Sequence, residues 1–97
     1  MDVRFQDESL DRLEVQPGDG GYPPGVARVF RKRMVMIRSA VDERDFYALK
    51  SLHYEKLEGR RKHQRSMRLN DQRRLVIEVQ GDAPNRVVIV VGIEDYH

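Results

Sequence analysis

The apolar residues of this chain change their spacing once, near Ser51, and that change limits the folds open to it. Between Pro24 and about Ala40, the residues Val26, Val29, Phe30, Met34, Met36, Ile37 and Ala40 fall within an arc of roughly 160° when wound at 100° per residue, as in an amphipathic helix. Pro24 suits the start of such a helix, where a missing N–H leaves nothing unpaired. From Tyr54 onward the spacing shortens to two. Arg65, Met67 and Leu69 alternate with Ser66, Arg68 and Asn70, so one face is apolar or half-buried and the other polar. Strands are expected over residues 54–57, 64–69, 74–80 and 86–93, separated by turns at 59–61, 70–72 and 81–85. Residues 87–91 are apolar without a break, which predicts a central strand covered on both faces. Helices followed by an antiparallel meander make an α+β domain with the N-terminal helices packed on one face of the sheet.

Upstream of the long helix, residues 2–5 alternate as a short strand, and Asp7, Glu8 and Ser9 offer caps for a short helix carrying Leu10 and Leu13. The Pro- and Gly-rich residues 17–25 must be a loop. Asp42, Glu43, Arg44 and Asp45 read as the cap and first turn of a short segment reaching Phe46 and Leu49. At 97 residues the chain has material for one modest core, so residues 1–97 are expected to form a single domain. It contains no cysteine, which removes disulfides, thiolate catalysis and Cys-ligated metals. No apolar run approaches the length of a membrane span, so a soluble, cytoplasmic protein without membrane attachment is expected.

Charge is distributed unevenly. Residues 26–74 hold fifteen Lys or Arg against six Asp or Glu, whereas both flanks are acidic. Such a middle is either a polyanion-binding surface or a solvated ionic face. Arg28, Arg31, Lys32 and Arg38, on the polar side of the long helix, meet either water or an anionic partner. Arg60, Arg61, Lys62, Arg65, Arg68, Arg73 and Arg74 are expected on one face of the middle strands and their turns, and the chain ends Glu94-Asp95-Tyr96-His97. Together these groups suit metal-free RNA cleavage. That reaction deprotonates a 2′-hydroxyl, protonates the leaving 5′-oxygen and neutralises charge on phosphorus. Taken singly, each has a plainer reading: Arg68 and Arg74 as cross-strand partners of Asp71 or Glu78, Tyr96 as a core-edge aromatic, Asp95 as a surface acid, His97 as a frayed terminus. His63 falls in a turn, and His53 precedes the sheet. The three histidines lack any metal-ligand spacing, so neither metal nor cofactor is expected.

Residues 54–75, with Leu57-Glu58-Gly59-Arg60-Arg61 running into Ser66-Met67-Arg68-Leu69-Asn70-Asp71-Gln72-Arg73-Arg74, resemble the core of the HigB branch of the RelE/ParE toxin superfamily, the killer proteins of plasmid-maintenance systems. The end Glu94-Asp95-Tyr96-His97 is similar to that family's acid-Asp-Tyr-His terminus. Pro23-Pro24-Gly25-Val26, Phe30-Arg31-Lys32-Arg33 and Asp42-Glu43-Arg44-Asp45 extend the resemblance over nearly the whole chain. It implies a RelE-like, microbial-RNase-like fold and a toxin that enters the A site of the ribosome, on its small subunit, to cut mRNA there. The implied partner is a HigA-type helix-turn-helix antitoxin, with operator DNA bound only through that antitoxin. The resemblance makes His97 the proton donor or acceptor, Arg68 and Arg61 phosphate stabilisers, and Tyr96 and Asp95 positioning residues. Arg60, Lys62, Arg65, Asn70, Arg73, Arg74 and Lys56 become RNA contacts. The chain departs from the pattern at Glu55 and Glu58, where some relatives carry His and Lys, at Arg73, where an aromatic is usual, and at His63, where glycine is common. The rival expectation is a non-catalytic relative of the same fold, either a ParE-like inhibitor of DNA gyrase or an inactive toxin kept for operator binding with its antitoxin.

Overall fold

In a computed structural model that describes residues 1–95, three helices cover one face of a five-stranded sheet. Chain order is β1 (Asp2–Phe5), α1 (Glu8–Val15), α2 (Val26–Ser39), α3 (Arg44–Ala48), β2 (Glu55–Lys56), β3 (Arg65–Arg68), β4 (Arg73–Gln80) and β5 (Val87–Asp95). Each helix begins where local chemistry allows. The Asp7 carboxylate accepts from the backbone N–H of Ser9 at 2.9 Å and caps α1. Gly25 takes a left-handed φ of 88° ahead of α2, a conformation that suits glycine. The Asp42 carboxylate accepts from the Arg44 N–H at 2.7 Å before α3.

Strands are ordered β1-β5-β4-β3-β2. The expected α+β layering is present, and β2 to β5 form the expected antiparallel meander. The sheet is nevertheless mixed, because β1 joins its far edge parallel to β5, with Asp2 opposite Val87 and Phe5 opposite Val90. Parallel neighbours need a long crossover, and here the helices and three strands provide it. β5 is interior to the sheet but covered fully on one side only. Val88 and Val90 are buried, while Val87, Ile89 and Val91 remain partly open, so the expectation of two covered faces does not hold.

The core joins Leu10 and Leu13 of α1, Val26, Ala27, Phe30, Met34 and Ile37 of α2 and Phe46 of α3 to Met67, Leu75, Ile77, Val88 and Val90 of the sheet. The polar side of α2 is largely taken up internally. Arg31 donates to the carbonyls of Leu13, Gln16 and Gly18 at 2.9, 2.8 and 2.6 Å, placing a cation at the C-terminal end of α1 where backbone carbonyls are left unpaired. Arg38 makes a two-pronged bond to Glu14 at 2.7 and 2.8 Å. Arg28 and Lys32 stay exposed. No helix among the described residues is long and apolar enough to cross a membrane.

One irregularity shapes the other face of the sheet. Val76 pairs with Gly92 but Ile77 pairs with Val90, so β5 carries Val91 as an extra residue. A bulge of this kind reverses the facing of everything beyond it. Ile93 therefore packs with the core beside Leu75, whereas Gly92 and Glu94 turn to the face away from the helices.

Candidate active site

The face away from the helices is built in rows. Glu55, Ser66, Val76 and Gly92 lie in register across β2, β3, β4 and β5, and Arg68, Arg74 and Glu94 form the next row. Ser66 and Val76 are buried, and Gly92 contributes no side chain, so small groups floor the face beneath long charged ones. The result is a cleft with two lobes. One, of about 280 Å³, is lined by His53, Glu55, Ser66, Arg68, Asn70, Asp71, Arg73 and Arg74. The other is bordered by Glu55, Lys56, Leu57, Glu58, Arg61 and Arg74. Glu55 and Arg74 line both.

Three of the cleft guanidiniums face carboxylates. Arg61, from the turn after β2, reaches over the sheet to Glu94 on β5 with two bonds of 2.8 and 2.5 Å, and its Nε donates to Gln64 at 2.8 Å. Arg68 pairs with Asp71 in the β3–β4 turn. Arg73 meets Asp95 at 3.0 Å. The Glu55 side chain makes no hydrogen bond or ion pair with any described residue. The backbone around Arg68 is held from below, since Arg33 of α2 donates twice to the Arg68 carbonyl, at 3.2 and 3.1 Å. Burial lowers the pKa of that Arg33 guanidinium from its ordinary value.

Of the residues singled out in the sequence, Arg61, Arg68, Asn70, Arg73, Arg74 and Lys56 are thus brought to the cleft. Asn70 is partly committed there: its side-chain oxygen accepts from the N–H groups of Gln72 and Arg73 at 2.9 and 2.7 Å and so shapes the turn. Arg60 and Lys62 are exposed and do not line it. Arg65 lies on the opposite face, with Glu43 3.6 Å from its Nε. The reason is strand parity: Arg65 and Arg68 are three apart and must point to opposite sides. Asp95 is the last residue of β5, and Tyr96 and His97 lie outside the described residues. Charge counting does not reveal Glu55, His53 or Ser66 as cleft residues. For Glu55 the signal is its pairing with Ser66, which follows once the strand register is known. Among the described residues no group of three or more His, Cys, Asp or Glu side chains could hold a metal ion.

The Arg61–Glu94 pair has a pH signature. Chiefly through the hydrogen bond, Arg61 holds the Glu94 carboxyl below its ordinary value of 4.5. A depressed folded-state pKa stabilises the fold fully above the unfolded value, and that contribution is lost as pH falls through the folded one. Glu94→Gln should therefore flatten the acid limb of a Tm-against-pH profile, the two proteins differing near neutrality and converging well below pH 4.5. Because the pair is one-third to nearly half exposed, the neutral-pH difference should be about 1 kcal/mol or less. Parallel profiles down to pH 2 would show that the pair contributes nothing.

No protein-family model and no curated protein matches this sequence. Its shape is more informative. The chain superposes on the YoeB/ParE toxin from Agrobacterium tumefaciens with a TM-score of 0.64, at 22% identity and with 100% of each chain covered. The fold is that of a YoeB/ParE toxin. It agrees with the RelE-like fold that the sequence resemblance implied, and the match runs over the full length of both chains.

Proposed function

We propose that this protein is the toxin of a type II toxin–antitoxin pair and that it cuts mRNA on the ribosome by metal-independent chemistry. The observation that carries the reading is the cleft itself: Arg68 and Arg74 stand in one row, and Glu55, a carboxylate outside every ion pair of the described residues, stands in the next. Guanidiniums neutralise the charge that accumulates on phosphorus, and an unpaired carboxylate can take the proton of a 2′-hydroxyl. His97 would give a proton to the leaving oxygen, with Asp95 and Tyr96 positioning it and Arg61 adding a second phosphate contact. Arg60, Lys62 and Lys56 would hold the RNA backbone at the rim. The partner that silences the toxin would be a HigA-type helix-turn-helix antitoxin, which also supplies any operator binding. The place of action would be the ribosomal A site in the cytoplasm.

A second reading has its own support. Three cleft guanidiniums already face carboxylates, which suits a non-catalytic relative acting by protein binding, on DNA gyrase or in an antitoxin–operator complex. Expression of wild type, His97→Ala and Glu55→Gln in cells lacking the antitoxin separates the two, with growth and mRNA 5′ ends followed together. The nuclease predicts growth arrest with new in-frame cuts for wild type, both lost in the variants. Arrest without cuts would favour the protein-binding reading, and soluble wild type that arrests nothing would favour an inactive relative.

A further inference from the structure

The basic segment between β2 and β3 serves both sides of the sheet. Arg61 turns onto the cleft face, while Arg65, at the start of β3, shares the face of Met67 and reaches the helix side. There it enters a separate pocket of about 170 Å³, lined by Glu43, His63, Arg65, Val79, Gly81 and Arg86. Two guanidiniums converge on one carboxylate: Glu43 lies 3.6 Å from Arg65 Nε and 3.8 Å from Arg86 Nη1. Neither distance is a hydrogen bond. The close bond of Glu43 is instead with the Tyr54 hydroxyl, which donates to it at 2.7 Å. The Nε groups of Arg65 and Arg86 are buried and have no hydrogen-bond partner among the described residues.

The pocket is held in shape from two directions. Arg65 Nη1 donates to the carbonyls of Lys62 and Gln64 at 3.0 and 3.2 Å, which fixes its guanidinium plane. On the other side Gly81 has a φ of 85°, and a Cβ there would come within 2.9 Å of the Asn85 carbonyl oxygen. Only glycine lets that turn close and deliver Arg86 just ahead of β5. Two guanidiniums against one carboxylate leave the pocket net positive, with Nε donors that Glu43 does not hydrogen-bond and that the oxygens of a second anion would satisfy.

We propose that this pocket takes a backbone phosphate of RNA whose reacting segment lies in the cleft. The identity of the ligand rests on the nuclease reading; the presence of an anion site does not. Arg65 and Arg68 point to opposite faces of β3, so an RNA strand that reaches both passes around the rim formed by the segment between β2 and β3. Exposed Arg60 and Lys62 lie on that segment and outnumber its exposed Glu58, so a polyanion crossing the sheet rim meets net positive charge. An RNA strand fits that continuity better than an isolated small anion.

The test is binding of a 2′-O-methylated RNA oligonucleotide, which cannot be cut through its 2′ position, to the full chain over a salt series. Thermal melts would confirm that each variant is folded. Arg86→Gln should weaken binding by roughly 3- to 10-fold at low salt and reduce the slope of log affinity against log salt by about 0.7, one single-strand phosphate contact. Glu43→Gln, which keeps an acceptor for Tyr54 but removes the competing charge, should bind several-fold tighter, a gain that misfolding does not imitate. Wild-type slope and affinity in both variants would overturn the proposal, as would failure of the wild type to bind; a pocket that serves an acidic peptide gives the first of these results. Parallel mRNA cleavage on ribosomes keeps the two ideas apart. Cutting by wild type with neither shift removes the pocket and leaves the nuclease, whereas both shifts without cutting leave the pocket and remove the nuclease.

Discussion

Under the proposed nuclease function, Arg74→Ala should lose about 10²- to 10³-fold of ribosome-dependent mRNA cleavage, the usual consequence of removing one group that stabilises charge in a transition state. Arg74 stands opposite Arg68 and Glu94 in the middle of the outer face, and it lines both lobes of the cleft. It lines both lobes together with Glu55, the carboxylate proposed to take the 2′ proton. Arg74→Lys should restore only part of the rate, because an ammonium keeps the charge and lacks the planar fork that bonds two phosphate oxygens at once. Arg74 is half-buried at the sheet surface and not within the core, and circular dichroism and Tm measured alongside separate a lost fold from a lost group. The measurement is single-turnover cleavage on programmed ribosomes. An alanine variant that cuts within about threefold of wild type would remove Arg74 from the chemistry and shift attention to the protein-binding reading.

Phe30→Ala should cost about 3–5 kcal/mol of stability. Phe30 is fully buried on the face of α2 that meets the sheet, in the same cluster as Met34, Ile37, Leu75 and Val88. Removing the ring forfeits its burial and leaves a cavity that strands on one side and helix backbone on the other cannot close. A domain of this size has about 5–15 kcal/mol in total, so a fall of roughly 15–30 °C in Tm or loss of a cooperative transition is expected. Val35→Ala on the same helix is the control: Val35 is 69% exposed and its truncation should change stability by about 0.5 kcal/mol or less. Comparable losses at both positions would mean that α2 does not dock as described.

Legibility in the sequence followed the range of the interactions. The arc of Val26, Val29, Phe30, Met34, Met36, Ile37 and Ala40 names the buried face of α2 because helical periodicity is local; Val29 and Met36 at its edges are only partly buried, and Ala27 is buried beside it. Alternation in residues 65–70 likewise anticipates that Met67 and Leu69 face the core and Ser66 and Arg68 do not. Applied strictly, that alternation separates Arg65 from Arg68, which counting basic residues along one face does not. The partners of the cleft arginines are another matter. Arg61 and Glu94 are 33 residues apart, and nothing in either neighbourhood indicates that they meet.

By itself, then, the sequence determined which segments are helix and which are strand, which side of α2 and of β3 is apolar, that the middle of the chain is basic, and the family resemblance that implied the fold. Those properties depend on neighbours a few residues away, and the physics of periodicity and capping reads them directly. Only the tertiary structure decided that β1 closes the sheet in parallel beside β5, that Glu55 stands in register with Ser66, and that Glu94 belongs to the cleft. The last turns on one residue. Val91 is the extra member of a bulge whose position depends on how β4 and β5 pair across the sheet, and without it Gly92 and Glu94 would face the core with Ile93 outward.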